Sequence, residues 1–326
     1  GVRFIMEEKK RANIFFHLVE FALIGFFDFT KLLSYVLPPS LLYAVFNAAG
    51  YLLFLARPGM REHLVETLRD ALPEVEDERE LEKIAMRASS ALFHPMLDMV
   101  VFKRHRERMM RELTVEGMEH LDAADAMGKG VILFTPHLGS LSIVTAVFTH
   151  LGKNFTPLVL PPWDSPVPRY ISAMTFYAHS LGCDRECPAF WTGRDAIAKV
   201  VQHLARGKRV GISYDVEGDF VADFFGRPTA IASGIARFAQ GTGAPIVPVS
   251  LLRQEDPLKR YLKLYPALAY ELSGDRERDV KAILDAVIRS GEDMIREAPW
   301  QWMGWFGLRQ WRKKAEEMGK KRENSG

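Results

Sequence analysis

The sequence predicts an α/β protein: a mostly parallel central sheet flanked by helices, with an N-terminal apolar helical extension that anchors it to a membrane. Three observations carry this reading. From residue 113 onward, short runs rich in Val, Ile, Leu and Phe alternate with stretches of helical period, the pattern of α/β units built on a parallel sheet. Residues 61–112 read as helix alone, a lead-in to a domain that extends over 61–310. Residues 1–60 hold two apolar stretches dense in Phe, Leu and Ala.

The first of those stretches, Ile14 to Phe29, follows the charged run Glu7 to Arg11 and is interrupted by His17, Glu20 and Asp28. The second, Leu41 to Leu55, follows Pro38-Pro39 and is shorter than the roughly 20 residues a bilayer core requires. No small-residue cleavage site follows at the right distance, so a signal peptide is not expected. Two readings stay open: a buried helical hairpin, or a helix pair lying in the membrane interface. The density of Phe (Phe15, Phe16, Phe21, Phe26, Phe27, Phe29) favours membrane contact.

Arg61 to Leu72 and Asp77 to Phe102 carry helical spacing on either side of the turn Pro73-Glu74. Leu113 to Val115 reads as a short strand, Met118 to Met127 as a helix and Val131 to Phe134 as a buried strand. There follow a helix Leu141 to Leu151, a strand Phe155 to Leu160, a proline-rich loop Pro161 to Pro168 and a helix Tyr170 to Leu181. A helix Arg194 to Arg206 precedes a strand Arg209 to Tyr214. Ile231 to Gly241 reads as helix, and Ile246 to Leu252 and Tyr261 to Tyr270 as strands. Residues 311–326 form a basic tail that is either solvated or seated on anionic lipid.

Composition sets limits. A net charge of +2 over 326 residues gives no global reason to expect a nucleic-acid partner. Cys183 and Cys187 provide no disulfide framework, suit a reducing compartment and make a poor zinc site without companion ligands.

His137 is the residue on which a functional reading turns. It follows the strand Val131 to Phe134 through Thr135-Pro136 and precedes Leu138-Gly139-Ser140. Open α/β sheets place their chemistry at the carboxyl ends of strands, and an imidazole there can take a proton from a hydroxyl. Three further stations stand out. Tyr214 to Asp219 offers Asp215 and Glu217, which either orient a histidine or cap a turn. Phe224 to Ala230 sets Phe225, Gly226 and Arg227 before a helix, either to hold an acyl chain and an anion or to pack as a loop. Gly243 to Val249 reads as a structural turn into a central strand.

Taken in order, the strand-end His137, the acidic-glycine turn, Phe-Phe-Gly-Arg-Pro-Thr-Ala at 224–230, Gly-Ala-Pro-Ile-Val-Pro-Val at 243–249 and Pro299 to Phe306 resemble the late lipid A acyltransferases and the phosphatidylinositol mannoside acyltransferases of the glycerolipid acyltransferase superfamily. The resemblance implies that His137 acts as general base on a lipid or sugar hydroxyl, which then attacks an acyl thioester. The thioester is carried by acyl carrier protein or coenzyme A, the acceptor is a glycolipid or phospholipid, and no metal or bound cofactor is called for. It implies a peripheral or monotopic protein of the inner (cytoplasmic) membrane, with its site facing the cytoplasm. Arg194 matches a basic position of that family before a helix, where it would meet a phosphate. Arg227 is a second anion-binding candidate, and Phe225 with Trp302 and Trp305 are candidates to line an acyl channel. The signature of the family is His, four residues, then Asp or Glu, and here Ser142 stands at the acid position. That departure leaves Asp215 or Glu217 as the replacement acid, a slow transferase, or a non-catalytic lipid-binding protein of the same fold. A hydrolase using Ser140 or Ser142 is disfavoured, because neither serine lies in a Gly-x-Ser-x-Gly elbow.

Overall fold

The computed structural model describes residues 2–165, 167–182 and 187–323, without the side chains of 2–15, 194, 322 and 323. Cys183 therefore lies outside the described residues. The chain opens with helices α1 (Val2–Val36), α2 (Pro39–Ala56), α3 (Pro58–Ala71), α4 (Glu78–Ser90) and α5 (His94–Arg111). Proline restrains the residue before it from helical geometry, so Pro38-Pro39 and Pro58 each separate one helix from the next. The Asp77 carboxylate caps α4 by accepting the Arg79 N–H at 2.9 Å. The single helix expected over Asp77 to Phe102 is two, with a turn at 91–93. Pro95 explains the break: it lacks an N–H and suits only the first turn of a new helix.

Next come β1 (Thr114–Glu116), α6 (Met118–Ala126), β2 (Val131–Phe134), α7 (Leu141–His150), β3 (Thr156–Val159), α8 (Pro168–Ser180), β4 (Phe190–Trp191), α9 (Arg194–Ala205) and β5 (Arg209–Ile212). They are followed by β6 (Glu217–Phe224), β7 (Arg227–Ile231), α10 (Gly234–Thr242), β8 (Ile246–Arg253), β9 (Arg260–Leu264), α11 (Arg276–Glu297) and α12 (Leu308–Glu323). Seven strands form one sheet in the order β1-β9-β8-β2-β5-β3-β4. Every neighbouring pair is parallel except β8 with β9. β2 lies at the centre, where Phe134 is in register with Ile212 on one side and Pro248 on the other. After β2 the chain adds β3, β4 and β5 on one side and then returns to add β8 and β9 on the other, which puts a crevice at the carboxyl end of β2.

Alternate residues of β2 feed two cores. Ile132 and Phe134 join Val210, Ile212 and Ile246 on one face of the sheet. Val131 and Leu133 join Val247, Val249 and the α5 and α7 side chains on the other.

Residues 217–231 depart from the sequence reading. A turn followed by a loop before a helix was expected; the chain instead forms an antiparallel hairpin of β6 and β7, outside the main sheet. Phe225 and Gly226 make its two-residue turn with φ of 51° and 69°, the geometry of the turns that match strand twist. A phenylalanine there is strained. Its N–H donates to Glu292 at 2.6 Å and its ring is buried against Trp302 and Trp305, which offsets the strain. Because Ile231 belongs to β7, α10 begins at Gly234 rather than at Ile231. The two-residue strand β4 falls in a stretch with no periodic signal, and β9 stops at Leu264, short of Pro266.

The N-terminal helices present two faces. α2 buries Leu42, Tyr43, Phe46, Gly50 and Phe54 against α4 and α5, with Gly50 so close that a Cβ would lie 2.6 Å from the Ser90 Cα. Leu41, Val45, Leu52 and Leu55 on the same helix remain exposed, as do Phe21, Phe29 and Leu32 on α1. By length and composition alone, α2 is the one helix among the described residues that could cross a membrane, at a mean hydropathy of 1.5.

Candidate active site

β2 and β5 are hydrogen-bonded neighbours, so the residues that follow them emerge side by side. His137 follows β2 and Asp215 follows β5. The Asp215 side chain has no exposed area, and that of His137 is 36% exposed. The His137 Nδ1 lies 2.9 Å from Asp215 Oδ1. Asp215 Oδ2 accepts both the His137 backbone N–H and the Trp302 Nε1–H, each at 2.7 Å. A carboxylate can only accept, so Nδ1 carries the proton and Nε2 presents its lone pair. Among the described residues no group hydrogen-bonds Nε2. Burial disfavours the imidazolium, but the Asp215 charge and hydrogen bond favour it more, and the His137 pKa stands above its ordinary value.

The loop that carries His137 is fixed by its backbone. The Ser140 N–H donates to Leu251 O at 2.7 Å, Gly139 N–H to Gln301 O at 3.2 Å, and Met303 N–H to His137 O at 3.0 Å. Gly139 is required: its φ is 63°, and a Cβ would meet Leu251 O at 2.2 Å. Thus the Pro299 to Phe306 segment closes over the loop from the far end of the sequence.

A second, largely buried polar cluster underlies that loop, and the sequence reading missed it. Asp98 of α5 accepts from Arg253 Nη1 at 2.7 Å and Arg260 Nη2 at 2.8 Å, and also from the Tyr43 hydroxyl of α2. Arg253 donates further to Gly139 O at 2.7 Å, and Arg260 Nε to Ser140 Oγ at 2.7 Å. Burial alone would raise the Asp98 pKa, but the two guanidinium groups hold it down to about 2. The signal was present: an aspartate inside the apolar run Met96 to Val101, and an arginine closing each end of the β8–β9 connection. Charges in such places are seldom idle, because burying one without a partner is costly.

The other candidates lie elsewhere. Glu217 turns to α12, accepting from Gln310 Nε2 at 3.0 Å and Lys314 Nζ at 2.9 Å. Arg227 begins β7 at the far end of the hairpin rather than preceding a helix, and its guanidinium is already paired with Asp70 at 2.9 Å. Phe225 and Gly226 are the hairpin turn. The rings of Phe225, Trp302 and Trp305 pack tilted and edge-to-face against one another in the core, and Trp302 also holds Asp215. Ser142 sits in the first turn of α7 with its Oγ buried and without a hydrogen-bond partner. Arg194 opens α9, and its side chain lies outside the described residues. Among the described residues no group of three or more His, Cys, Asp or Glu converges as metal ligands would.

The model of the bacterial lipid A biosynthesis acyltransferase family matches residues 8–171 and 184–313. A lipid A biosynthesis acyltransferase of Haemophilus influenzae is 22% identical over 220 residues, which cover 66% of this chain and 64% of the relative. A phosphatidylinositol mannoside acyltransferase of Mycobacterium tuberculosis is 32% identical over 153 residues, 44% of this chain and 46% of the relative. The alignments thus span less than two thirds of each relative. The family match takes in His137, Asp215, Trp302 and the whole Asp98 cluster, and the chain belongs to the bacterial lipid A biosynthesis acyltransferase family.

Proposed function

We propose that this protein is a membrane-associated O-acyltransferase that moves a fatty acyl chain from a thioester of acyl carrier protein or coenzyme A to a hydroxyl of a glycolipid or phospholipid. The observation that carries the reading is the pair formed by His137 and Asp215, at 2.9 Å on the crevice side of the central strand. In this reading Nε2 takes the proton of the acceptor hydroxyl as its oxygen attacks the thioester carbonyl. The tetrahedral intermediate collapses with cleavage of the C–S bond, and the imidazolium returns its proton to the departing thiolate. Asp215 keeps the ring in the required tautomer and offsets its transient charge. The relatives named above support the reaction class, and the exposed apolar faces of α1 and α2 support a seat on a membrane surface, which in this reading is the inner membrane with the site facing the cytoplasm.

The binding-only alternative rested on Ser142 standing where an acid was expected. Asp215 on Nδ1 supplies a carboxylate from the neighbouring strand and supports the catalytic reading instead. Nothing favours a serine hydrolase: Ser140 Oγ accepts from Arg260, and Ser142 Oγ has no partner. The test is acyl transfer from carrier-protein and coenzyme A thioesters to membrane lipid, wild type against His137→Ala. A general base contributes about 10²–10⁴ in rate, so turnover should fall by at least about a hundredfold while lipid binding persists. Equal turnover in both proteins would remove His137 from the reaction.

A further inference from the structure

α5 bends at His105, whose φ of −117° and ψ of 19° leave the helical range. At the bend a recess of about 560 Å³ opens between α5 and the C-terminal end of α8. Its walls carry Lys103, Arg104, Arg106, Arg108 and Arg111 against one acid, Glu107. Arg108 is paired with Glu112 at 2.7 Å, and Lys103 donates to Ser180. Among the described residues no acid pairs with Arg106 or Arg111, and both are exposed. In a chain whose net charge is only +2, this is a concentrated positive site. Burial first, then Arg104 and Arg108, lower the pKa of the His105 ring at the bend.

Beside the recess lies an apolar shelf. Tyr35 and Val36, in the last turn of α1, are 72% and 74% exposed, Leu32 is 62% exposed, and Phe176 of α8 is 77% exposed. Arg104 joins shelf to recess: it donates to the Ser34 carbonyl, and its guanidinium lies 4.1 Å from the centre of the Tyr35 ring. An apolar face edged by guanidinium groups matches the boundary of a bilayer, with hydrocarbon below and phosphate at the level of the cations.

We propose that the α5 recess binds the phosphate of an anionic phospholipid headgroup and seats the α1 side of the protein on a negatively charged membrane surface. The inference rests on the membrane-associated part of the reading above and not on catalysis. A soluble acidic carrier could meet the cations, but it would leave the adjoining shelf in water; a lipid surface satisfies both. The recess residues touch neither His137 nor Asp215, so the site is distinct from the dyad.

The experiment is co-sedimentation of the full chain with phosphatidylcholine vesicles, with and without phosphatidylglycerol. Wild type is compared with Arg106→Ser/Arg111→Ser and with a tail variant, Lys313→Ser/Lys320→Ser. Each basic side chain near an anionic surface contributes about fivefold in affinity, so the recess variant should lose roughly twenty- to thirtyfold on phosphatidylglycerol vesicles. It should lose almost nothing on phosphatidylcholine alone, and the tail variant should lose much less. Equal binding by wild type and recess variant would overturn the proposal, as would an equal loss in the tail variant. So would a recess variant that binds vesicles normally but no longer binds acyl carrier protein, which would assign the surface to the donor. Turnover in detergent micelles is read in parallel. A wild type without turnover that still shows the vesicle effect would sink the transferase reading and leave this one standing.

Discussion

Asp215→Asn is the substitution that weighs most on the dyad. Asp215 receives three donors: the His137 Nδ1–H, the His137 backbone N–H and the Trp302 Nε1–H. An asparagine offers one oxygen and one amide nitrogen in the same space. If the oxygen faces Nδ1, the amide points at two buried N–H donors, and each unsatisfied donor costs about 1–3 kcal/mol. If the oxygen instead keeps those two donors, the amide faces Nδ1, which must then give up its proton. The second arrangement is cheaper by roughly 2–6 kcal/mol on the same figures, so the proton moves to Nε2 and the base is lost. A wrong tautomer in a comparable triad costs about 10⁴ in kcat, and a fall of about 10³–10⁴ is expected here. The pH dependence has a definite sign. A base works when neutral, and Asp215 raises the His137 pKa, so the acid limb of the wild-type rate profile should lie above the ordinary histidine value of 6.5. Activity should rise through that limb with pH, and any residual activity of the variant should have its limb at lower pH. The assay is thiol release from an acyl thioester with lipid acceptor in detergent micelles, alongside a melting curve. A folded Asn variant that keeps more than about a tenth of the wild-type kcat would refute the reasoning.

Three further outcomes are expected. Glu217→Gln should leave kcat within about twofold and stability within about 1 kcal/mol, because Glu217 holds only the half-exposed Lys314 and Gln310; a hundredfold loss would make it the working acid. Asp98→Ala should lower unfolding stability in detergent by about 3–5 kcal/mol, because Arg253 and Arg260 stay buried without a counter-charge; a loss below about 1 kcal/mol would show that the cluster carries no weight. Ser142→Asp should not raise kcat, and it should move the acid limb to still higher pH by adding a negative charge near His137. A tenfold gain at neutral pH would mean that Asp215 is not the functional partner.

The strand-forming half of the fold was legible because buried parallel strands write themselves as unbroken apolar runs. Val131 to Phe134 is buried at every position, and the expected strand matches it residue for residue. His137 was legible for the same reason, since the end of such a run is conspicuous. The hairpin was not. Its turn has Phe225 at positive φ, where sequence rules look for Asn or Gly, and what makes that conformation tolerable is tertiary: the Glu292 carboxylate and the edge-to-face pair of Trp302 and Trp305. The choice between Asp215 and Glu217 was also out of reach. The two residues lie two positions apart, and only the departure of the chain from β5 into β6 decides that the first turns inward and the second toward α12. The resemblance made Trp302 a candidate to line an acyl channel; the structure shows its indole N–H donating to Asp215, a contact no local pattern announces.

A carboxylate supplied by the neighbouring strand has a consequence for the loop itself. An acid at position 142 would be borne by the helix that follows His137 and would move with it. Asp215 is borne by β5 and also accepts the His137 backbone N–H, so it fixes the ring and the chain that carries the ring with one group. That arrangement works only if the loop holds its place against β5. The Asp98 cluster meets this demand: Arg253 grips the Gly139 carbonyl and Arg260 the Ser140 hydroxyl, from strands on the opposite side of β2. Buried ion clusters add little net stability but resist rearrangement, because separating their members strands a charge. The same Asp98 accepts from Tyr43 of α2, whose other face is apolar and exposed. A set of hydrogen bonds therefore runs from α2 to Gly139 and Ser140, in the loop that carries His137. The position of Nε2 relative to the exposed apolar face of α2 is thus set by the folded chain.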